Sequence, residues 1–150
     1  MKYAVQIDHE LLSGYFVWEI ADVNFVATEN ATLLVFENIG LASEHFQGES
    51  IEPSEIIIDS CILELSRCLH KVDKTAKNHF LDVHNILDDV AINLDVTFEF
   101  SQQDRVLDLL NDYDEFGVDG ERLGLLFALV ENINLMVLRL SKSYILIENG

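Results

Sequence analysis

The residues most capable of chemistry lie between positions 111 and 121, where NDYDEFGVDGE holds five carboxylates and two glycines. An EF-hand calcium loop needs oxygen ligands at positions 1, 3 and 5, a glycine at position 6 and a bidentate glutamate at position 12. With Asp112 as position 1, positions 3 and 6 also match, but Phe116 stands at position 5 and Leu123 at position 12. Because two ligands are missing, we expect no calcium site here.

The same acidic segment fits two other roles. It can connect two helices, with glycines that permit positive φ angles and with Asp119 as the cap of the following helix. It can also contact a cationic protein, because aromatic side chains supply buried area while carboxylates pair with lysine or arginine. The second interpretation predicts these partner-binding residues: Asp112, Tyr113, Asp114, Glu115, Phe116, Asp119 and Glu121.

The histidines and cysteines show no spacing typical of a metal site, since C-x-x-C, H-x-x-x-H and H-E-x-x-H are all absent. No G-x-S-x-G nucleophile motif and no glycine-rich phosphate loop is present either. His84 and Asp88 share one face of a predicted helix, but a histidine on an apolar stripe is usually a core residue. We therefore predict a protein that is not an enzyme and that uses no metal or cofactor.

Charge is the strongest global signal in the chain. There are 27 Asp and Glu residues against 9 Lys and Arg, which gives a formal net charge of −18. From Tyr3 to Ser66 there is no Lys or Arg, although 12 of the acidic residues lie in that stretch. Such a field repels nucleic acid and anionic membranes and accelerates association with a basic protein.

The N-terminal third is predicted to form an antiparallel meander. Residues 2–8 alternate apolar and polar side chains, and the short segments 15–20, 23–28 and 32–38 are rich in β-branched and aromatic residues. The alternative is a pair of helices over 10–28 and 31–46, because periodicity alone does not separate short apolar strands from helices.

The remainder is predicted to be mostly helical. Ser54 is a suitable N-cap for a helix that continues to Lys71, and a second helix is expected over about 75–92. The alternation in LDVTFEF predicts a strand over 94–100, and residues 144–148 predict another. A helix is also expected within QQDRVLDLLNDY, before the acidic segment.

A long helix over about 120–141 carries apolar residues around nearly its whole circumference. This pattern is typical of a buried core helix, although one side could instead form a homodimer or partner face. Charged and amide residues interrupt the apolar run, so we do not expect it to span a membrane.

Together these patterns predict one acidic globular domain over residues 1–150, of the α+β class. Its expected architecture is a small antiparallel sheet packed against several helices, with a long C-terminal core helix. Cys61 and Cys68 are seven residues apart, or roughly 10 Å along a helix, which is too far for a disulfide. Reduced thiols and the absence of a signal-peptide pattern favour the cytoplasm.

The function class that best fits this charge is a protein-binding inhibitor of the immunity-protein or antitoxin kind. A nuclease toxin needs a cationic groove for phosphates, so a dense array of carboxylates would be steered towards it. Two alternatives use the same composition: a nucleic-acid mimic that blocks a restriction or CRISPR protein, and a structural or regulatory homodimer without catalysis.

Overall fold

The computed structural model describes residues 1–59, 74–97 and 120–149, with only the backbone of 74–77, 120–123, 125 and 126. Seven strands lie in this part of the chain: β1 (Lys2–His9), β2 (Leu12–Glu19), β3 (Phe25–Val26), β4 (Thr28–Glu29), β5 (Thr32–Phe36), β6 (Glu52–Asp59) and β7 (Tyr144–Ile147). Three helices accompany them there: α1 (Ile39–His45), α2 (Lys74–Leu94) and α3 (Gly120–Ser141).

The strands form one mixed sheet in the order β4-β5-β2-β1-β6, with β3 also paired to β2 and β7 to β5. The N-terminal strands pair antiparallel, as the meander prediction required. Strand β6, however, runs parallel to β1, and β7 runs parallel to β5. The predicted fold class was therefore wrong, because the sheet is mixed and larger than a small antiparallel meander.

The helix predicted from Ser54 was also wrong at its start, since residues 52–59 form strand β6. The hydroxyl of Ser54 accepts a hydrogen bond from the Ile56 amide at 3.1 Å, which resembles the capping bond expected of it. The bond lies instead where the register between β1 and β6 shifts from Ala4↔Pro53 to Gln6↔Ile57. The hydrogen bond from a backbone amide to the Ser54 hydroxyl thus stabilises a β-bulge here, rather than the first turn of a helix. The rest of that predicted helix lies outside the described residues.

Both faces of the sheet are covered. On one face, strand residues such as Val5, Phe16 and Val35 pack with α2 and α3 in the larger core cluster. On the other face, Ala4, Val17 and Phe36 pack with Ala42 of the short helix α1. Because each strand supplies alternate residues to the two faces, the central strands are apolar on both sides.

Helix α2 matches its prediction closely. The residues of its apolar stripe are all buried: Phe80, Val83, His84, Leu87, Val90 and Ala91. The helix ends at Leu94, where the Val96 amide donates to the Ala91 carbonyl and Asp95 takes a positive φ of 53°. The strand predicted over 94–100 is therefore wrong for residues 94–97, and its last three residues lie outside the described part.

Helix α3 has the predicted bounds, and strand β7 follows it within the predicted 144–148 segment. The helix is not enclosed all round, because Phe127, Leu135 and Leu138 are 45%, 62% and 38% exposed. A core helix with every face buried was the wrong expectation, and one apolar side remains open to solvent. Among the described residues, no helix is long and apolar enough to cross a membrane.

Candidate functional site

Among the described residues, a polar groove lies between strand β6, the β1–β2 pair and helix α2, and we term it the Trp18 groove. It consists of two adjoining cavities of about 350 and 610 Å³ that share Trp18, Ile56 and Asp82. Tyr3 extends the aromatic wall, with its ring centroid 6.1 Å from that of Trp18 and the planes tilted by 43°. Strand alternation explains this pairing, since Tyr3 and Trp18 are direct partners in the β1–β2 register.

Helix α2 holds the indole of Trp18 in place. The Trp18 Nε1 donates to Asp89 Oδ2 at 2.9 Å, and the Asn24 side chain donates to the same oxygen at 3.0 Å. Both donors are neutral, so these bonds orient the Asp89 carboxylate without neutralising its charge. Trp18 is only partly buried, so its side chain can still contact a ligand.

Among the residues that the structure describes, five carboxylates line the groove and no Lys, Arg or His side chain does. The residues are Glu52, Glu55, Asp82, Asp88 and Asp89. The first three are exposed and the last two are partly buried. Since the groove walls are partly apolar, the field of these carboxylates is less screened than it would be on a flat surface.

The one Lys or Arg side chain in the described strands makes its contacts outside the Trp18 groove. Lys2 is the only Lys or Arg among residues 1–59, and its ammonium lies 3.1 Å from Glu19 and 2.6 Å from Glu49. It also lies 5.4 Å from the ring centroid of Phe46. Hydrogen bonds to Glu49 and Glu19 raise the pKa of Lys2 above its usual value. The cation is thus held by partners that do not line the Trp18 groove.

This arrangement suits a cationic ligand in two ways. Carboxylates on opposite walls can accept hydrogen bonds from guanidinium or ammonium groups. The faces of Trp18 and Tyr3 can attract the same groups through cation–π contacts, which are worth about 0.5–2 kcal/mol. An extended segment rich in Arg or Lys would satisfy both features.

The residues predicted from the acidic segment cannot be compared with this groove. Six of them, Asp112 to Phe116 and Asp119, lie outside the described residues. Glu121 lies in the first turn of α3, and its side chain is not described. Partner binding by these seven residues therefore stays a prediction.

The sequence signal for the Trp18 groove was present but weak. Trp18 and Asp89 are 71 residues apart, so no local motif joins them. The Asp88-Asp89 pair is visible in the sequence, yet carboxylate pairs carry little information in a chain with 27 acids. The one usable hint was a single tryptophan next to a glutamate in a predicted strand within the cation-free stretch.

The described residues contain no group of three or more His, Cys, Asp or Glu side chains placed to hold a metal ion. His84 is 1% exposed and lies in the core stripe of α2. Its burial agrees with the prediction of a core histidine. Cys61 and Cys68 lie outside the described part of the chain.

Comparisons with known proteins bear on the fold. No family model matches the chain, and no curated protein matches it either. The chain is similar to the crystal structure of the SatS C-terminal domain in complex with bromine, with a TM-score of 0.55. Sequence identity is 12%, and the similarity covers 99% of this chain and 94% of that one. At this identity the similarity shows a shared fold alone.

Proposed function

We propose that this protein binds the cationic surface of a basic protein partner, with the Trp18 groove as its contact. The observation that supports the proposal is the part of the groove lining that the structure describes, which has five carboxylates and a partly exposed Trp18 but no Lys, Arg or His side chain. The overall charge of −18 would steer a basic partner towards the groove and speed its association.

The specific form that we propose is an inhibitor that occludes its partner, in the manner of immunity proteins and antitoxins. A nuclease presents Lys and Arg side chains to phosphates, and carboxylates that occupy those side chains would exclude the nucleic acid. The acidic segment at 111–121 would supply further contacts. We propose the cytoplasm as the compartment, because the predicted spacing of Cys61 and Cys68 does not suit a disulfide.

Trp18 allows a direct test, because it is the only tryptophan in the chain. We expect an arginine-rich peptide to change the fluorescence of Trp18 on titration, with an affinity that falls steeply as salt is added. The triple variant Glu52→Gln/Glu55→Gln/Asp82→Asn should weaken binding by about tenfold, since each exposed ion pair contributes about 0.2–1 kcal/mol.

A matched control is the triple variant Glu29→Gln/Glu44→Gln/Glu148→Gln, which removes the same charge from exposed positions that do not line the groove. It should lose much less affinity. Equal losses in the two variants would mean that net charge alone attracts the peptide, and the groove would not be the site.

The partner itself can be sought by capture from cells of the source organism at low salt, followed by elution at high salt. The inhibitor proposal expects a basic protein that the wild type retains and the groove variant loses. It also expects the wild type to suppress that protein's nuclease activity in proportion to the fraction bound. A retained partner whose activity is unchanged by the chain would refute inhibition while leaving binding intact.

A further inference from the structure

Helix α3 carries an exposed row of residues spaced by four, which we term the Leu135 ridge. It consists of Phe127, Glu131, Leu135 and Arg139, and all four are exposed. Leu135 is 62% exposed and Phe127 is 45% exposed, which is high for large apolar side chains in a helix that packs against a sheet.

The apolar surface continues beside the ridge. Leu138 and Leu11 are 38% and 50% exposed, and with Phe127 and Leu135 they line a cavity of about 450 Å³. The cavity lies between α3 and the turn that joins β1 to β2, and it also includes Glu10 and Glu131. Four large apolar side chains therefore share one open surface, instead of being scattered singly.

The charges on the ridge are symmetric about its most exposed residue. Glu131 lies four residues before Leu135, and Arg139 lies four residues after it. Neither side chain forms an ion pair with any described residue. An antiparallel copy of the helix, related by a two-fold axis at Leu135, would bring each Glu131 opposite the Arg139 of the other copy.

We propose that the Leu135 ridge is the interface of a homodimer, in which two α3 helices cross antiparallel at Leu135. Rows of residues spaced by four are the ridges that interdigitate in the commonest class of helix packing. The crossing would bury Leu135 at its centre, and Glu131 and Arg139 would form an ion pair on each side of it. The neighbouring apolar residues Leu11, Phe127 and Leu138 would border the contact.

A second copy fits this surface better than a partner of single charge. A basic helix would pair with Glu131 but would place a cation against Arg139, and an acidic helix would do the reverse. Only a surface with the same two charges in opposite order satisfies both. Repulsion between two chains of −18 opposes the contact, but at about 0.15 M salt charges beyond roughly 8 Å are largely screened.

The test uses sedimentation equilibrium of the full chain and two charge variants. The wild type should show a concentration-dependent mass that reaches that of a dimer. Glu131→Arg alone places two arginines opposite each other on both sides of the axis, and Arg139→Glu alone does the same with two glutamates. Each variant should therefore dimerise at least about tenfold more weakly than the wild type.

Mixing the two variants distinguishes this geometry from a general charge effect. In a dimer with one chain of each kind, both pairs again join an arginine to a glutamate, so the equimolar mixture should recover dimerisation. Circular dichroism of each variant checks that α3 still forms, which its exposed positions lead us to expect. The control Glu44→Arg, on α1, should leave dimerisation unchanged.

A wild type that stays monomeric at every soluble concentration would overturn the proposal. It would also fail if the single variants dimerised like the wild type, or if their mixture recovered nothing. This proposal does not depend on the Trp18 groove, because no residue of the ridge lines that groove. Peptide binding followed by Trp18 fluorescence and self-association followed by mass can therefore fail separately.

Discussion

At the level of single residues, Gly14 in strand β2 has no room for a side chain. Its φ angle is +149°, and a Cβ atom placed on it would lie 2.6 Å from the Val35 side chain and 2.9 Å from the Phe36 carbonyl oxygen. The close approach of β5 to β2 thus depends on the absence of a side chain, since Tyr15↔Phe36 is the pair that joins these strands.

We expect Gly14→Ala to lower the free energy of unfolding by about 2 kcal/mol or more, because the added methyl group must displace backbone as well as a side chain. Urea denaturation followed by circular dichroism measures this change. The matched control is Gly124→Ala, since Gly124 lies in α3 and a Cβ atom there would meet nothing within 4 Å. That variant should gain up to about 1 kcal/mol from helix propensity. A neutral result at Gly14 would mean that β5 can move away from β2.

The residues of the Trp18 groove show how much of the candidate site could be predicted from residue types alone. The types that suit cation binding, one tryptophan and many carboxylates, were visible in the sequence. Their meeting was not, because Trp18 and Asn24 reach Asp89 across 71 and 65 residues of chain. A hydrogen bond of this kind depends on where α2 crosses the sheet, and side-chain type alone does not determine that crossing.

At the level of elements, the clearest error concerned β6. The run Ile56-Ile57-Ile58 suits a strand by its β-branching, but Ser54 and Glu55 ahead of it suit the first turn of a helix. The segment forms a strand because it pairs with β1 at the edge of the sheet. This tertiary pairing outweighs the local preference of Ser54 and Glu55 for a helix. Helices α2 and α3 were predictable because each runs for more than 20 residues with a consistent pattern.

Strand β6 leads to a test with neighbouring isoleucines. Ile58 is 1% exposed and packs in the larger core cluster, whereas Ile57 is 39% exposed. Ile58→Ala should cost about 2–4 kcal/mol of unfolding free energy, while Ile57→Ala should cost less than about 1 kcal/mol. Urea denaturation of both variants gives the comparison. Similar losses at the two positions would contradict the alternation of a strand with one buried face.

At the level of the whole molecule, the parallel pairs were beyond prediction. Strand β1 joins a segment about fifty residues later, and β5 joins one more than a hundred residues later. Local patterns predict where strands form, but they do not indicate which distant strand a given strand pairs with, or whether the pair is parallel. The antiparallel meander could be predicted because its strands follow one another along the chain with short turns between them.

The net charge of the whole molecule also affects its thermal stability. Since −18 produces self-repulsion in the compact state, added NaCl should raise the melting temperature, by about 3 °C for each kcal/mol of repulsion removed. The Glu29→Gln/Glu44→Gln/Glu148→Gln variant lowers the charge from −18 to −15 and should respond less to salt. Differential scanning calorimetry at low protein concentration measures both. A melting temperature that falls with salt would show that attractive ion pairs outweigh the repulsion.

Strand β7 affects the order in which the chain folds during synthesis as well as the stability of the folded sheet. It completes the sheet beside β5, where the Glu37 amide donates to the Ile147 carbonyl at 2.9 Å and the Asn149 amide donates to Glu37 across 112 residues. During synthesis at about 5–20 residues per second, β5 leaves the ribosome several seconds before its partner exists. In that interval the nascent chain has an unfilled position beside β5, so the sheet cannot be completed before residues 144–147 have been synthesised.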